Sequence, residues 1–143
     1  MASILKVDEL QGITTANDIT VTVGATATMS LEQGLAKSYV QFDGDAATPA
    51  ANKSLNHSSI VDEGTGDYSV TVSSAFDGVD YGVVLTGGRT GASNGGGDMS
   101  LATATTAPTS TTTRIRSYRN LNSSAESTND VSNITEVRYG DLA

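Results

Sequence analysis

The chain contains no cysteine, no tryptophan and only two prolines in 143 residues. The absence of cysteine excludes disulfide bonds and thiolate metal ligands. Aromatic residues make up 5% of the chain, so few large rings are present to fill a core or to stack on a ligand. Because proline is scarce, nearly every backbone N–H group can join a strand ladder. These absences favour β-structure without covalent cross-links.

Charged residues are also few, and most of them are acidic. The chain has 16 Asp and Glu residues against 8 Lys and Arg, which gives a net charge of −8. An acidic surface repels nucleic-acid backbones and anionic lipids. No apolar run approaches the roughly 20 residues of a membrane helix, and Lys6 comes too early for a secretory signal peptide. We therefore expect neither a nucleic-acid partner nor a membrane partner.

Large apolar side chains are scarce as well. Ile, Leu, Val and Phe together form about a fifth of the chain, close to the composition of disordered proteins. A chain of this length has room for one core, but so few large apolar groups would leave a lone subunit marginally stable. The composition predicts a homo-oligomer in which copies cover each other's apolar faces.

The clearest pattern alternates with a period of two residues over 19–32. Its apolar positions are Ile19, Val21, Val23, Ala25, Ala27, Met29 and Leu31. Such alternation predicts either one long strand or a hairpin bent near Gly24 and Ala25. The pattern leaves open whether a neighbouring subunit or the rest of the same chain covers it. The residues that we predict to serve oligomerisation or anchoring are Ile19, Val21, Val23, Met29 and Leu31.

Short strand patterns separated by turn residues continue to the C-terminus. The predicted strands lie at 37–42, 58–62, 68–73, 81–86, 112–118 and 133–139, and another strand opens at Met99. Loops are expected at 45–54 and 87–98, and no amphipathic helix of about ten or more residues is predicted. This pattern predicts an all-β fold, an antiparallel β-sandwich or jelly-roll-like domain. We assign 1–34 to an extended N-terminal β arm for anchoring and oligomerisation, and 35–143 to the sandwich.

One stretch is more distinctive than the others. Ser58–Val72 contains two strand patterns joined by the turn Gly-Thr-Gly-Asp-Tyr at 64–68. Further notable stretches are Ala36–Gly44, Tyr81–Leu85, Ile115–Tyr118 and Glu136–Asp141. They resemble a module of tail-fibre and other virion proteins of bacteriophages, notably marine ones. Ser3–Gln11 resembles the opening of fibre-like proteins in such phages. The resemblance implies a β-sandwich that usually trimerises, belongs to a virion and often faces the host, although this chain has no extended shaft.

The sequence contains few residues that could act together in catalysis. His57 is the only histidine, and a Ser-His-Asp triad could be drawn with it. However, the chain has no Gly-x-Ser-x-Gly nucleophile elbow. We interpret His57 as a structural or surface residue. The sequence thus predicts a protein that is not an enzyme and that needs no cofactor.

Acidic residues cluster in the predicted turns. They are Asp43, Asp45, Asp62, Glu63 and Asp67. Carboxylates of this kind can bind Ca²⁺, but their spacing does not match the Asp-x-[Asp/Asn]-x-[Asp/Asn]-Gly loop. Asp in such positions commonly shapes the turn itself. We therefore predict turn-forming roles and no metal site, while a pair of carboxylates for glycoside cleavage would require distances to judge.

Two groups of basic residues could make contacts. The glycine-rich stretch 87–97 lacks the Gly-Lys-[Ser/Thr] of a phosphate-binding loop, so we predict an exposed recognition loop with Arg89 and Asn94 as contact residues. Arg114, Arg116 and Arg138 could bind a nucleic-acid backbone, but the net charge opposes that. We predict that they pair with carboxylates across strands or, preferably, between subunits.

These features favour a virion structural protein. We expect a fibre-like or spike-like homo-oligomer, a trimer by resemblance, that assembles in the host cytoplasm and joins other tail or capsid proteins through its N-terminal arm. The alternatives are a capsid decoration (cement) protein and a carbohydrate-binding adhesin module that contacts a host surface glycan. A depolymerase is the least supported, because no acid–base constellation is visible.

Overall fold

The computed structural model describes residues 19–23, 27–88, 98–100, 107–119 and 127–143. In these ranges the protein is all-β, with antiparallel sheets that pack against each other, which confirms the predicted fold class of a β-sandwich. The one helix described is the single turn α1 (Leu31–Gly34). The chain divides into two compact units, residues 1–35 and 36–143.

The first unit contains a β-hairpin. Its strands are β1 (Thr20–Val23) and β2 (Ala27–Ser30). The register pairs Val21 with Met29 and Thr22 with Thr28. The alternating stretch is therefore a hairpin rather than one long strand. Because directly paired residues of an antiparallel ladder share a face, the register places apolar residues opposite apolar residues and threonine opposite threonine.

The second unit contains the remaining described strands. They are β3 (Ser38–Phe42), β4 (Ala51–Leu55), β5 (Ser59–Gly64), β6 (Asp67–Thr71), β7 (Gly82–Gly88), β8 (Asp98–Ser100), β9 (Thr112–Arg119), β10 (Ser127–Thr128) and β11 (Asn133–Tyr139). A four-stranded sheet has the order β4-β3-β11-β7, and a five-stranded sheet has the order β10-β9-β6-β5 with β8 also paired to β9. All pairings are antiparallel.

Most predicted strands lie where the alternation placed them, and the two strands β4 and β10 were missed. The predicted hairpin corresponds to β5 and β6, and the last predicted strand matches β11. The predicted loop over 45–54 is wrong in its second half, because Ala51–Leu55 forms β4 with all five residues exposed. An exposed edge strand shows no apolar alternation. It forms by pairing with β3, a long-range contact that local patterning does not reveal.

The core of the second unit lies between its two sheets. Its fully buried members are Val40, Phe42, Tyr68, Val70, Ile115, Val131 and Ile134, and Ile60 and Leu85 pack against them. The rings of Phe42 and Tyr68 meet edge to face, with centroids 5.3 Å apart. Every member lies within 36–143, so this unit has a hydrophobic core of its own.

The turn at 64–68 is shaped by two glycines and tied to a distant segment. Gly64 and Gly66 have φ angles of 131° and 66°, which L-residues with a side chain rarely adopt. A Cβ atom on Gly66 would also lie 2.7 Å from the backbone N of Asn129. The N–H of Gly66 and the hydroxyl of Tyr68 both donate to Oδ1 of Asp130, at 2.6 and 2.8 Å. These contacts give the Gly-Thr-Gly-Asp-Tyr sequence a structural explanation.

Candidate functional site

The outward side of the four-stranded sheet carries a continuous apolar row. The register places Leu55, Tyr39, Val137 and Val84 side by side, one from each strand. Leu55 and Val84, at the two ends, are 54% and 52% exposed, and the central pair is partly buried. Neighbouring strands lie about 4.8 Å apart, so the four side chains form one contiguous stripe. We call this set the apolar row and this side of the sheet the four-strand face.

The four-strand face also differs in charge from the rest of the chain. Among the residues of β3, β4, β7 and β11, Glu136 is the only carboxylate, and it is fully buried on the inward side. The charged residue on the face is Lys53, which the register aligns with Gln41, Thr135 and Thr86 in a polar row. The face is therefore free of negative charge in a protein whose net charge is −8.

The apolar row could not be predicted from the sequence, for an identifiable reason. Val83, Val84 and Leu85 are consecutive apolar residues, so alternation alone does not say which of them face outwards. Val83 and Leu85 are partly buried and Val84 is exposed. The row appears only when the register of all four strands is known.

The outward side of the five-stranded sheet carries an ion cluster instead. Asp67 accepts two hydrogen bonds from Arg114, at 2.6 and 2.8 Å, and one from Nε of Arg116 at 2.8 Å. Burial raises the pKa of Asp67, but the hydrogen bonds from both arginines outweigh that effect and hold this pKa below its usual range. Two arginines already balance the negative charge of this carboxylate, so it is poorly suited to act as an acid or base.

A second ion pair lies inside the sandwich. Glu136 and Arg138 on β11 are both fully buried, and Nη2 of Arg138 donates to Oε2 of Glu136 at 3.0 Å. The same nitrogen lies 2.8 Å from the carbonyl oxygen of Val70 and 2.6 Å from Oγ1 of Thr113. Thr113 in turn donates to Oε1 of Glu136 at 2.5 Å. This network links the two sheets through polar contacts.

These ion pairs correct one prediction. We expected Arg114, Arg116 and Arg138 to pair with carboxylates preferably between subunits. All three pair within one chain, with Asp67 or Glu136. Sheet register brings Asp67 next to Arg114 and Arg116 on the neighbouring strand. Glu136 and Arg138 are second neighbours on one strand and therefore share a face.

The surroundings of His57 in the described ranges lack the contacts of a catalytic triad. Its Nε2 atom is buried and has no hydrogen-bond partner among the described residues. Burial lowers its pKa, and the charge of Arg138 lowers it further, against a hydrogen bond to the Ser59 backbone and the charge of Glu136. In a Ser-His-Asp triad Nε2 takes the proton of the nucleophile. That atom has no hydroxyl within hydrogen-bonding distance here, so the geometry does not build the triad.

A cavity of about 260 Å³ lies in the loops at 76–81 and near the C-terminus. It is lined by Phe76, Asp77, Gly78, Asp80, Tyr81 and Asp141. Its carboxylates could accept hydrogen bonds from a cationic or hydroxyl-rich ligand. The aromatic pair is already engaged, because the Tyr81 ring stacks on Phe76 at 4.6 Å and its hydroxyl donates to the Thr109 carbonyl at 2.8 Å.

The segment 76–80 lies between two predicted strands, and its sequence indicates only a turn. The cavity forms because the chain returns to it: Phe76 pairs with Leu142 in an isolated β-bridge, and the N–H of Asp77 donates to the carbonyl of Asp141. Contacts between residues so far apart in the chain leave no local pattern.

Asp43 and Asp62 have the predicted turn-forming role, whereas the prediction for Asp67 was wrong, because it lies in β6 and pairs with two arginines. Oδ1 of Asp43 accepts from the N–H of Asp45, and Oδ1 of Asp62 accepts from the N–H of Gly64. Glu63 accepts from the hydroxyl of Ser69 at 2.7 Å. In the described ranges, no three His, Cys, Asp or Glu side chains converge as a metal site would require.

The other predicted contact residues are only partly covered. Arg89 and Asn94 lie outside the described residues. In the hairpin, Ile19, Val21 and Leu31 are partly buried, and Val23 and Met29 are placed by backbone pairing alone. Their role in oligomerisation or anchoring stays a prediction.

Comparisons with known proteins add no relative. Protein-family models, curated proteins and solved structures were compared with the chain, and none of them matches it. Within the described ranges, no helix has the length and apolarity needed to cross a membrane.

Proposed function

We propose that this chain is a homo-oligomeric structural component of a bacteriophage particle, a fibre-like or spike-like module assembled in the host cytoplasm. Its N-terminal segment, 1–34, joins copies together and to other tail or capsid proteins, and the sandwich at 35–143 is displayed. One observation carries the proposal: the described strands of the first unit form a two-stranded hairpin whose register pairs apolar with apolar residues, whereas the second unit has its own core.

A lone hairpin needs a partner surface. Two strands are at best marginally stable in water, because they cannot cover their apolar side chains. Val21 pairs with Met29 and Val23 with Ala27, so one face of the ribbon is apolar in composition. Equivalent hairpins of neighbouring copies supply a matching surface, since each copy presents the same face. Association of this kind both stabilises the hairpin and joins the subunits.

Two further features support a virion role. The stretches around the 64–68 turn resemble modules of phage tail-fibre and virion proteins, and that resemblance also implies the trimer that we propose. The ion pairs of the sandwich are internal, and Nε2 of His57 has no hydrogen-bond partner among the residues that the structure describes. A displayed, non-catalytic module is consistent with this chemistry.

The hairpin test compares two substitutions on opposite faces of β1 in the full chain. Val21→Asp places a charge in the apolar face, and Thr22→Asp places the same charge on the exposed face. We expect Val21→Asp to convert the oligomer to monomer at micromolar concentration, and Thr22→Asp to leave it assembled. Sedimentation velocity measures both, and circular dichroism confirms that the sandwich stays folded.

A second measurement addresses the particle itself. Particles purified from cells that make the protein should contain the wild-type chain, detected by mass spectrometry, and lack Val21→Asp. A wild-type chain that sediments as a monomer, or that is absent from purified particles, would contradict the proposal. Imaging of labelled particles separates a tail fibre from the alternative of a capsid decoration protein, by showing the chain on the tail or on the head.

The cavity at 76–81 favours one alternative function, a carbohydrate-binding adhesin module. Carboxylates are common acceptors for sugar hydroxyls, and the cavity has three of them. Glycan-array binding by the full chain that is lost in Asp80→Asn would support the adhesin. Absence of binding by the assembled protein would count against it.

A further inference from the structure

We infer that the four-strand face is the contact between sandwiches of neighbouring copies, so that the apolar row of one sandwich packs on the same face of a second copy of this chain. The inference deepens the proposed function and rests on it, because the N-terminal hairpins bring the copies together. The four-strand face is a different surface from the N-terminal hairpin, and different substitutions test its role.

The apolar row has the composition of an interface centre. Tyr39 and Val137 lie in its middle, Leu55 and Val84 at its ends, and all four are in register. Tyrosine is enriched at the centre of protein interfaces, where its ring supplies area and its hydroxyl a hydrogen bond. The adjacent polar row of Lys53, Gln41, Thr135 and Thr86 provides a mostly uncharged rim. An apolar centre with a polar rim is the usual anatomy of a specific contact.

The charge distribution favours a second copy as the occupant. Two molecules of net charge −8 repel each other over most of their surfaces. The four-strand face carries no carboxylate, and Lys53 adds a positive charge at its margin. It is therefore a surface on which two acidic copies can meet without placing carboxylates opposite each other. A strongly basic partner would instead favour the carboxylates elsewhere on the chain.

The size of the face explains why this contact depends on the hairpins. Four strands of up to seven residues give a face of about 400 Å². A standard stable interface buries about 800 Å² on each partner, so the four-strand face alone binds weakly. Copies already linked by their N-terminal segments face each other at a high effective concentration, and a weak contact then forms readily.

The test uses two exposed valines that differ in the sheet they occupy. Val84 on the four-strand face is 52% exposed, and Val61 on the five-stranded sheet is 49% exposed. Val84→Asp and Val61→Asp therefore introduce the same charge at similar exposure in the full chain. We expect Val84→Asp to raise the dissociation constant of the oligomer at least about tenfold, and Val61→Asp to leave it unchanged. Sedimentation equilibrium gives both constants, and circular dichroism confirms folding.

The outcomes separate this inference from the proposed function. If Val84→Asp and Val61→Asp have equal constants, the four-strand face does not join copies, even when Val21→Asp still abolishes assembly. If Val84→Asp assembles normally but is missing from purified particles, the face binds another virion protein and the second-copy inference is overturned. Should Val84→Asp fail to fold, Leu55→Asp at the other end of the apolar row gives the same test.

Discussion

The effect of Arg138 or Glu136 on stability depends strongly on the presence of the other member of the pair. Both side chains are fully buried, and the arginine links β11 to Val70 and Thr113 on the other sheet. Removing one member of a buried pair leaves an uncompensated charge, whereas removing both charges often costs little. The pair therefore matters less for net stability than for holding the two sheets in one arrangement.

The first prediction follows from this pair. Arg138→Met should lower the free energy of unfolding by about 3–5 kcal/mol, because it leaves the carboxylate of Glu136 buried without its cation. The double variant Glu136→Gln/Arg138→Met should recover part of the loss, since no buried charge remains. Urea denaturation at neutral pH, followed by far-ultraviolet circular dichroism, measures both. A double variant as unstable as the single one would contradict this account.

At the scale of elements, the hairpin of β5 and β6 depends on its turn. Gly66 has a φ of 66° and no room for a Cβ atom, since the backbone of Asn129 and Ser117 lies within 2.8 Å of that position. The positive φ and the lack of space for a Cβ atom both restrict this position to glycine. Its backbone N–H also donates to Asp130, so the turn connects the hairpin to the segment before β11.

A glycine substitution tests this dependence. Gly66→Ala should destabilise the protein by at least about 2 kcal/mol, because it combines an unfavourable φ with a clash against backbone atoms that cannot move independently. Gly78→Ala is the matched control, since nothing lies within 4 Å of its Cβ position, and it should be close to neutral. Denaturant midpoints of the two variants report the difference. Equal midpoints would show that the turn is not under this constraint.

At the scale of the whole molecule, stability is divided unevenly between the two units. The buried hydrophobic cluster of the described residues lies in the second unit, so we expect a fragment of residues 36–143 to fold without the first unit. It should show a β-sheet circular dichroism spectrum, unfold cooperatively and sediment as a monomer at concentrations where the full chain is an oligomer. A fragment without a cooperative transition would mean that the sandwich needs the N-terminal unit.

Many of the strands could be predicted because a strand shows in the sequence as local alternation of apolar and polar residues. The alternation at 37–42 predicted a strand with Val40 and Phe42 on one face, and this is the buried face of β3. The Gly-Thr-Gly-Asp-Tyr turn predicted the hairpin of β5 and β6. Edge strand β4 escaped prediction because all its residues are exposed. The partners of Arg114 and Arg116 also escaped it, since register decides which carboxylate they meet.

The sequence by itself determined that this protein is built from strands, where most of them begin and end, and that it has no disulfide or thiolate chemistry. Those properties follow from composition and from period-two alternation, which act between near neighbours in the chain. Only the tertiary structure decided which side chains form the apolar row, that Arg114 and Arg116 both pair with Asp67, and that a cavity lies beside Asp141. Each of these depends on the register and packing of segments far apart in the sequence, and a local pattern carries no information about such contacts.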